Sequence, residues 1–285
     1  MSQSKSTYIL ACDIGGTHIT SAIVACDTWS ILSETITRAE VNSSKNAKSI
    51  FQSWTNAIKE SIARFNGPID QIGIAMPGPF DYENGISLMN GQNKYDDLYK
   101  LDITSALREE LESPSIDIRY INDAAAFLQG EIFATGRHQE HCILGITLGT
   151  GLGSAIWQQG DKAYDANLWN TPYKDSIFEE YLVTRWFTRR FEELSGLQEF
   201  GLKEIIEKHH QTDFFQSIMV EYRSNLYQFL TFFSDKHLCN NYIIGGNIAK
   251  AWGIINNDNS FVDFNIRIGE YEEKAALIGA ASLFE

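Results

Sequence analysis

The chain is poor in the residues that would tie it to an extracellular, membrane-bound or nucleic-acid-binding role. Only four of its 285 residues are cysteine. Cys12, Cys26 and Cys142 lie in or beside apolar, strand-like runs, and Cys239 closes a helix. They read as buried free thiols, which fits a reducing cytoplasm and excludes a disulfide framework. The six histidines show no metal-ligand spacing, and His209-His210 reads as the solvated end of a helix. Basic residues number 23 against 37 acidic ones, a net charge of −14 with no basic run, which argues against a DNA or RNA partner. No apolar stretch approaches bilayer length, and the polar start Met1-Ser2-Gln3-Ser4 is no signal peptide. A Gly-x-x-x-x-Gly-Lys-Ser/Thr phosphate loop is missing, as are Ser-His-Asp and Cys-His arrangements.

What the chain has instead is two short glycine turns, each after an apolar run that reads as a β-strand. Asp13-Ile14-Gly15-Gly16-Thr17 follows Tyr8–Cys12, and Thr147-Leu148-Gly149-Thr150-Gly151-Leu152-Gly153 follows Cys142–Ile146. Glycine lets the backbone turn sharply and leaves amide N–H groups uncovered by any Cβ, as a bound phosphate requires. The second turn lacks the Gly-x-Gly-x-x-Gly register of a dinucleotide fold.

The periodicity places strands at Tyr8–Cys12, Ser21–Val24, Ile31–Thr37, Ile72–Ala75 and Ile116–Ile121. Helices are expected from Ala47 to Phe65, at Thr104–Glu112 and at Ala124–Thr135. The programme then restarts 134 residues after the first turn. Strands are expected at Ile143–Leu148, Ser154–Trp157, Tyr242–Ile244 and Phe261–Ile268. Helices are expected at Ser176–Leu194, Leu202–His209, about Asp213–His237 and Glu272–Phe284. Two such halves imply a duplicated α/β fold of two lobes with a central cleft. The expected division is residues 1–121, with 272–285 packing back on them, against residues 122–271.

Three places carry candidate chemistry. Asp13 ends a strand before two glycines; it either orients Mg²⁺ through water or bonds its own turn. Thr17 and Thr150 either donate hydroxyls to phosphate or are ordinary strand residues. Asn122-Asp123 opens a helix, where both residue types serve as N-caps. A carboxylate at that strand end also suits a general base that takes the proton of a phosphoryl acceptor. Asn90 and Asn93 lie in a polar loop after Pro77-Gly78-Pro79, either solvated or touching a sugar.

In combination, Asp13-Ile14-Gly15-Gly16-Thr17, Ala75-Met76-Pro77-Gly78-Pro79-Phe80-Asp81, Asn122-Asp123-Ala124, Leu148–Gly153, Ile243-Ile244-Gly245-Gly246-Asn247 and Lys274–Ala281 resemble the ROK family of glucokinase-like sugar kinases and repressors. The resemblance runs from end to end. It implies the actin-like ATPase (ribonuclease H-like) fold and ATP-dependent phosphorylation of a sugar, with Mg²⁺ at Asp13. Asp123 matches the family's catalytic base, Asn122 and Asn93 its sugar ligands, and Gly78 a backbone contact beside them. Gly15, Gly16 and Thr17 match the first phosphate loop, and Gly149, Thr150 and Gly151 the second. Gly245, Gly246 and Asn247 match the turn bordering the adenosine. His18 stands where members often carry Lys. Members are commonly dimers, so a homodimer is an expectation of the resemblance alone.

Departures fall on the sugar side. The family's Glu-x-Gly-His is replaced by Asn167-Leu168-Trp169-Asn170, with Asn167 and Asn170 as the substitute sugar contacts. The zinc-binding cysteine cluster is missing, so no zinc site is expected, and Glu179 best matches the third sugar-binding carboxylate. Trp169 is equally readable as a stacking face for a sugar or a packed aromatic. A sugar kinase is the leading expectation, with a catalytically weak or inactive sugar or nucleotide sensor of the same fold as the alternative. The repressor branch needs a helix-turn-helix before the first strand, where only seven residues stand.

Overall fold

A computed structural model describes residues 7–91 and 94–285. The chain divides into two compact units, one of residues 1–139, 160–164 and 271–285, the other of residues 140–159 and 165–270. Among the described residues no helix is long and apolar enough to cross a membrane.

The first unit is built on β1 (Tyr8–Ile14), β2 (His18–Ala25), β3 (Thr37–Glu40), α1 (Ala47–Arg64), β4 (Gln71–Met76), α2 (Ile103–Glu110), β5 (Asp117–Asn122) and α3 (Asp123–Ala134). β1 and β2 form an antiparallel hairpin, and β4 and β5 add in parallel beside β1. β1 and β4 are buried along nearly their whole length, which explains why they read as continuous apolar runs rather than alternating ones. The α1 stripe of Ile50, Phe51, Trp54 and Ile58 is buried, as its helical spacing requires. Asn46 caps that helix by accepting from the Ser49 amide.

α3 and the C-terminal helix Glu273–Ala281 meet backbone to backbone. A Cβ on Gly130 would lie 1.8 Å from the Ala275 carbonyl oxygen, and one on Gly279 1.9 Å from that of Ala126. The C-terminal helix also presses on β4, where a Cβ on Gly73 would sit 2.0 Å from the Ala280 carbonyl. Buried Gln129 donates to Ser282 Oγ at 2.6 Å and accepts from the Ala163 amide at 2.8 Å, which ties residues 160–164 into this unit. These contacts place α3 in the first unit, so the division falls near residue 140 instead of at 122.

The second unit repeats the topology with β6 (Cys142–Leu148), β7 (Leu152–Gln158), α4 (Thr184–Ser195), α5 (Leu202–His209), α6 (Asp213–His237), β8 (Asn241–Gly245) and β9 (Asn265–Ile268). β6 and β7 pair antiparallel around the second glycine turn, and β8 and β9 add in parallel beside β6. The core between this sheet and its helices is aromatic, with Phe187, Phe191, Tyr222, Phe229, Phe233 and Tyr242 fully buried.

Local chemistry moves several expected boundaries. Ile31–Thr37 is interrupted by a 3₁₀ turn at Ser33–Thr35, because the Thr35 hydroxyl donates to the Leu32 carbonyl and accepts from the Ile23 amide. The single helix expected over Ser176–Leu194 is instead a strand pair of Ser176–Ile177 with Pro172–Tyr173, a short helix Glu179–Leu182, and α4. Val183 is extended there, and the Thr184 amide goes to the Gly149 carbonyl rather than into a continuing helix. Only Asn265–Ile268 of the strand expected from Phe261 forms. Cys12 and Cys239 are buried free thiols, while Cys26 and Cys142 are partly exposed. His209 is no solvated surface group; its ring packs on Phe191 and bonds Glu199 at 2.9 Å.

Candidate active site

In the first unit, the turn after β1 is closed by the Gly15 amide donating to the His18 carbonyl at 2.9 Å. From outside the turn, buried Tyr95 donates its hydroxyl to the Gly15 carbonyl at 2.6 Å, and the Val41 amide donates to the Thr17 carbonyl at 2.7 Å. Neither Gly15 nor Gly16 has a left-handed φ, so their glycine character serves openness rather than the sharp turn the sequence suggested. Nothing lies within 4 Å of a Cβ built on Gly16. Among the described residues, the Gly16 and Thr17 amides meet no protein acceptor. The Thr17 hydroxyl shares a 2.9 Å bond with His18 Nδ1.

Two carboxyls stand together above this turn. Asp13 is the last residue but one of β1, and Asp123 begins α3 directly after β5, two strands across the sheet. Burial, the neighbouring Asp123 and then Glu273 raise the Asp13 carboxyl from 3.8 to about 7, against a weaker pull from Arg38. Asp123 is reached by solvent, yet the protein packed around it still penalises its charge and lifts its pKa. The Ala124 amide and Lys94 act in the opposite direction. A carboxyl pair so short of positive charge suits a hydrated Mg²⁺, which needs only one or two carboxylates and otherwise keeps its water. Among the described residues no group of three or more His, Cys, Asp or Glu is placed to hold a metal.

Asn122 is the N-cap of α3, its Oδ1 accepting from the Ala124 and Ala125 amides at 2.9 and 3.2 Å. Its Nδ2 donates to the Tyr82 hydroxyl at 3.3 Å, and Tyr82 in turn donates to the Met76 carbonyl. A Cβ on Gly78 would come 3.2 Å from that same hydroxyl. Gly78, Tyr82, Asn122 and Asp123 therefore form one corner. Asn93 lies outside the described residues.

In the second unit, the turn between β6 and β7 is tied to the start of α4. The Gly149 carbonyl accepts from the Thr184 amide at 2.9 Å and from its hydroxyl at 3.0 Å. The Thr150 carbonyl accepts from Arg185 Nη1 at 3.1 Å. Nothing lies within 4 Å of a Cβ built on Gly149, and among the described residues the Thr150 and Gly151 amides donate to no protein group. The Gly245-Gly246-Asn247 turn adjoins this one. Gly246 has φ +88°, and a Cβ there would meet the Leu148 carbonyl oxygen at 2.3 Å, so only glycine fits. Asn247 is exposed.

Glu179 bonds the same turn: its Oε2 accepts from the Leu152 amide at 2.9 Å, and its Oε1 from Arg185 at 2.7 Å. Its own amide donates to the Trp169 carbonyl, which brings Glu179 beside the Asn167–Asn170 segment. Asn167 has φ +50° and accepts from the Trp169 indole N–H at 2.9 Å. Trp169 is held half out of the protein, 41 % exposed, and Asn170 is exposed. Sequence reasoning missed Tyr95, Tyr82, Thr184 and Arg185. Each acts through hydrogen bonding to a residue distant in sequence, and no local pattern marks such a residue.

The family model of the ROK family matches residues 9–164. The N-acetyl-D-glucosamine kinase of Haemophilus influenzae (strain 86-028NP) is 25% identical over 151 residues, 52% of this chain and 45% of that protein. The match thus spans about half the length of that curated relative. A ROK family protein from Streptococcus pneumoniae TIGR4, solved in complex with sucrose, superposes with a TM-score of 0.78 at 18% identity over 97% of each chain. A ROK family glucokinase from Streptomyces griseus, solved with glucose and AMPPNP, gives a TM-score of 0.74 at 19% identity, covering 97% of this chain and 98% of that one.

Proposed function

Because the chain belongs to the ROK family and carries its actin-like ATPase fold, we propose that it is an ATP-dependent sugar kinase. It transfers the γ-phosphoryl group of ATP to a hydroxyl of a hexose or related sugar. The single observation that carries this reading is the Asp13–Asp123 pair beside a glycine turn in which, among the described residues, the Gly16 and Thr17 amides meet no protein acceptor. Asp123, with a raised pKa and water access, takes the proton of the acceptor hydroxyl as its oxygen bonds phosphorus and ADP departs. The amides of Gly16 and Thr17, and those of Thr150 and Gly151, donate to phosphate oxygens. Asp13 is the residue that would hold Mg²⁺, through water, and the ion supplies charge neutralisation at the phosphates. Gly245, Gly246 and Asn247 border the adenosine.

On the sugar side we assign Asn122, Gly78 and Asn93, with Asn167, Asn170 and Glu179. The four cysteines, none of them in a disulfide, support a cytoplasmic setting, and a homodimer is part of the proposal on the family resemblance alone. Relatives named for glucose and N-acetylglucosamine place those two sugars first in a test panel. Sugar-dependent ADP release with labelled ATP tests the reading, and Asp123→Ala is expected to abolish it. Undiminished turnover in that variant removes Asp123 as the base. One observation favours a weakly active sensor instead: the Glu179 carboxylate and the Asn167 side-chain oxygen Oδ1 are already bonded within the protein. Phosphate transfer to any sugar of the panel excludes that reading.

A further inference from the structure

We propose that Arg185 is a positioning residue for the second glycine turn, fixing its backbone so that the Thr150 and Gly151 amides face outward for a nucleotide phosphate. The phosphate part rests on the kinase reading above. The argument begins with peptide geometry. In a trans peptide the C=O and the following N–H point in opposite directions. The Gly149 carbonyl is drawn onto Thr184 by two bonds, and the Thr150 carbonyl onto Arg185 by one. Both peptide planes are thereby oriented, and their N–H groups, those of Thr150 and Gly151, point away from α4. Among the described residues, these are the two amides of the turn that no protein group accepts.

Arg185 reaches the turn a second time through Glu179. Its Nη2 donates to Glu179 Oε1 at 2.7 Å while Glu179 Oε2 accepts the Leu152 amide at 2.9 Å. Its Nε donates to both Glu180 oxygens, at 3.0 and 3.1 Å, so the fork is anchored from behind. One planar guanidinium thus spans Thr150, Glu179 and Glu180, which a lysine ammonium cannot copy. The room for this brace comes from Gly151, where a Cβ would already be 3.3 Å from Glu179 Oε2. Arg185 also offsets the charge of Glu179, a carboxylate that would otherwise repel an anion arriving at the same turn.

The test compares wild type with Arg185→Ala, Arg185→Lys and Thr184→Val by hydrogen exchange, AMPPNP binding and steady-state kinetics. In Arg185→Ala the protected Leu152 amide is expected to exchange about tenfold faster while the core strands keep their protection. AMPPNP affinity and the KM for ATP worsen about tenfold, and the KM for sugar moves less. Arg185→Lys falls between the two, and Thr184→Val reproduces the direction through Gly149. Unchanged Leu152 exchange with unchanged ATP affinity in Arg185→Ala overturns the proposal. So does an equal rise in both KM values without faster exchange. Failure of the wild-type chain to bind any nucleotide overturns the kinase reading, while the exchange comparison still decides whether Arg185 holds the turn.

Discussion

The buried hydroxyl of Tyr95 donates to the carbonyl of Gly15 at 2.6 Å, across 80 residues of sequence. Removing it leaves that carbonyl without its side-chain donor. Tyr95→Phe is expected to cost about 1–2 kcal/mol of stability and to raise the KM for ATP more than the KM for sugar. Chemical denaturation and initial-rate kinetics measure the two effects; a variant impaired equally toward both substrates contradicts the assignment to the nucleotide turn.

Asp123→Asn keeps the shape of the α3 start and removes the proton acceptor. A loss of about 10²–10⁴ in kcat is expected, with AMPPNP affinity held within about twofold. Because burial raises the Asp123 carboxyl, the acid limb of the kcat/KM profile should lie above the ordinary carboxylate value of about 4. An acid limb at or below that value would show that another group sets the rate.

Asp13 makes the fold itself sensitive to pH. Its carboxyl titrates at 3.8 when unperturbed and at about 7 in the folded protein. Between those values the folded chain holds a proton that the unfolded chain has released, so stability falls as pH rises through that window. Asp13→Asn should raise Tm at pH 8 and lose that advantage near pH 4. Asp13 is only partly buried, which keeps the gain on the order of 1 kcal/mol rather than the full linkage value. Mg²⁺ at pH 8 should stabilise wild type and leave the variant unmoved. A Tm difference independent of pH and of Mg²⁺ would refute this account.

Two glycines distinguish a packing role from a binding role. Gly279→Ala drives a Cβ to 1.9 Å from the Ala126 carbonyl oxygen and should cost about 2–3 kcal/mol or more. Gly16→Ala meets nothing within 4 Å, so Tm should stay within a few degrees of wild type. Its methyl group fills the space in front of the Gly16 amide, and ATP affinity should drop. Thermal melts paired with AMPPNP titration separate the two; a Gly16→Ala chain with intact affinity argues against the first phosphate loop.

The fold was legible where burial made it so. β1, β4 and β6 are apolar along their length because both faces are covered, and the glycines after β1 and β6 announce the duplication. Asp13 and Asp123 were recognisable as candidates from their strand-end positions, but only the parallel order of β1, β4 and β5 brings them close enough to repel. The Ser176–Leu194 segment misled because its apolar spacing suits a helix, while the carbonyl of Gly149 competes for the Thr184 amide. Glu179 stood out only through the family resemblance, as a match to a sugar-binding carboxylate, and its bonds to Leu152 and Arg185 depend on where a turn 27 residues earlier is placed.

The C-terminal helix Glu273–Ala281 has a consequence for how the protein is made. It covers β1 (Tyr8–Ile14) and β4 (Gln71–Met76), strands that leave the ribosome well before Glu273–Ala281. The face of the first unit's sheet therefore stays uncovered until residues 273–281 emerge, whereas residues 140–159 and 165–270 are made before them. Biosynthetic order and order of completion are thus reversed. During translation the apolar surface around Gly73 and Gly130 stays open, and the nascent chain is most in need of chaperone protection there.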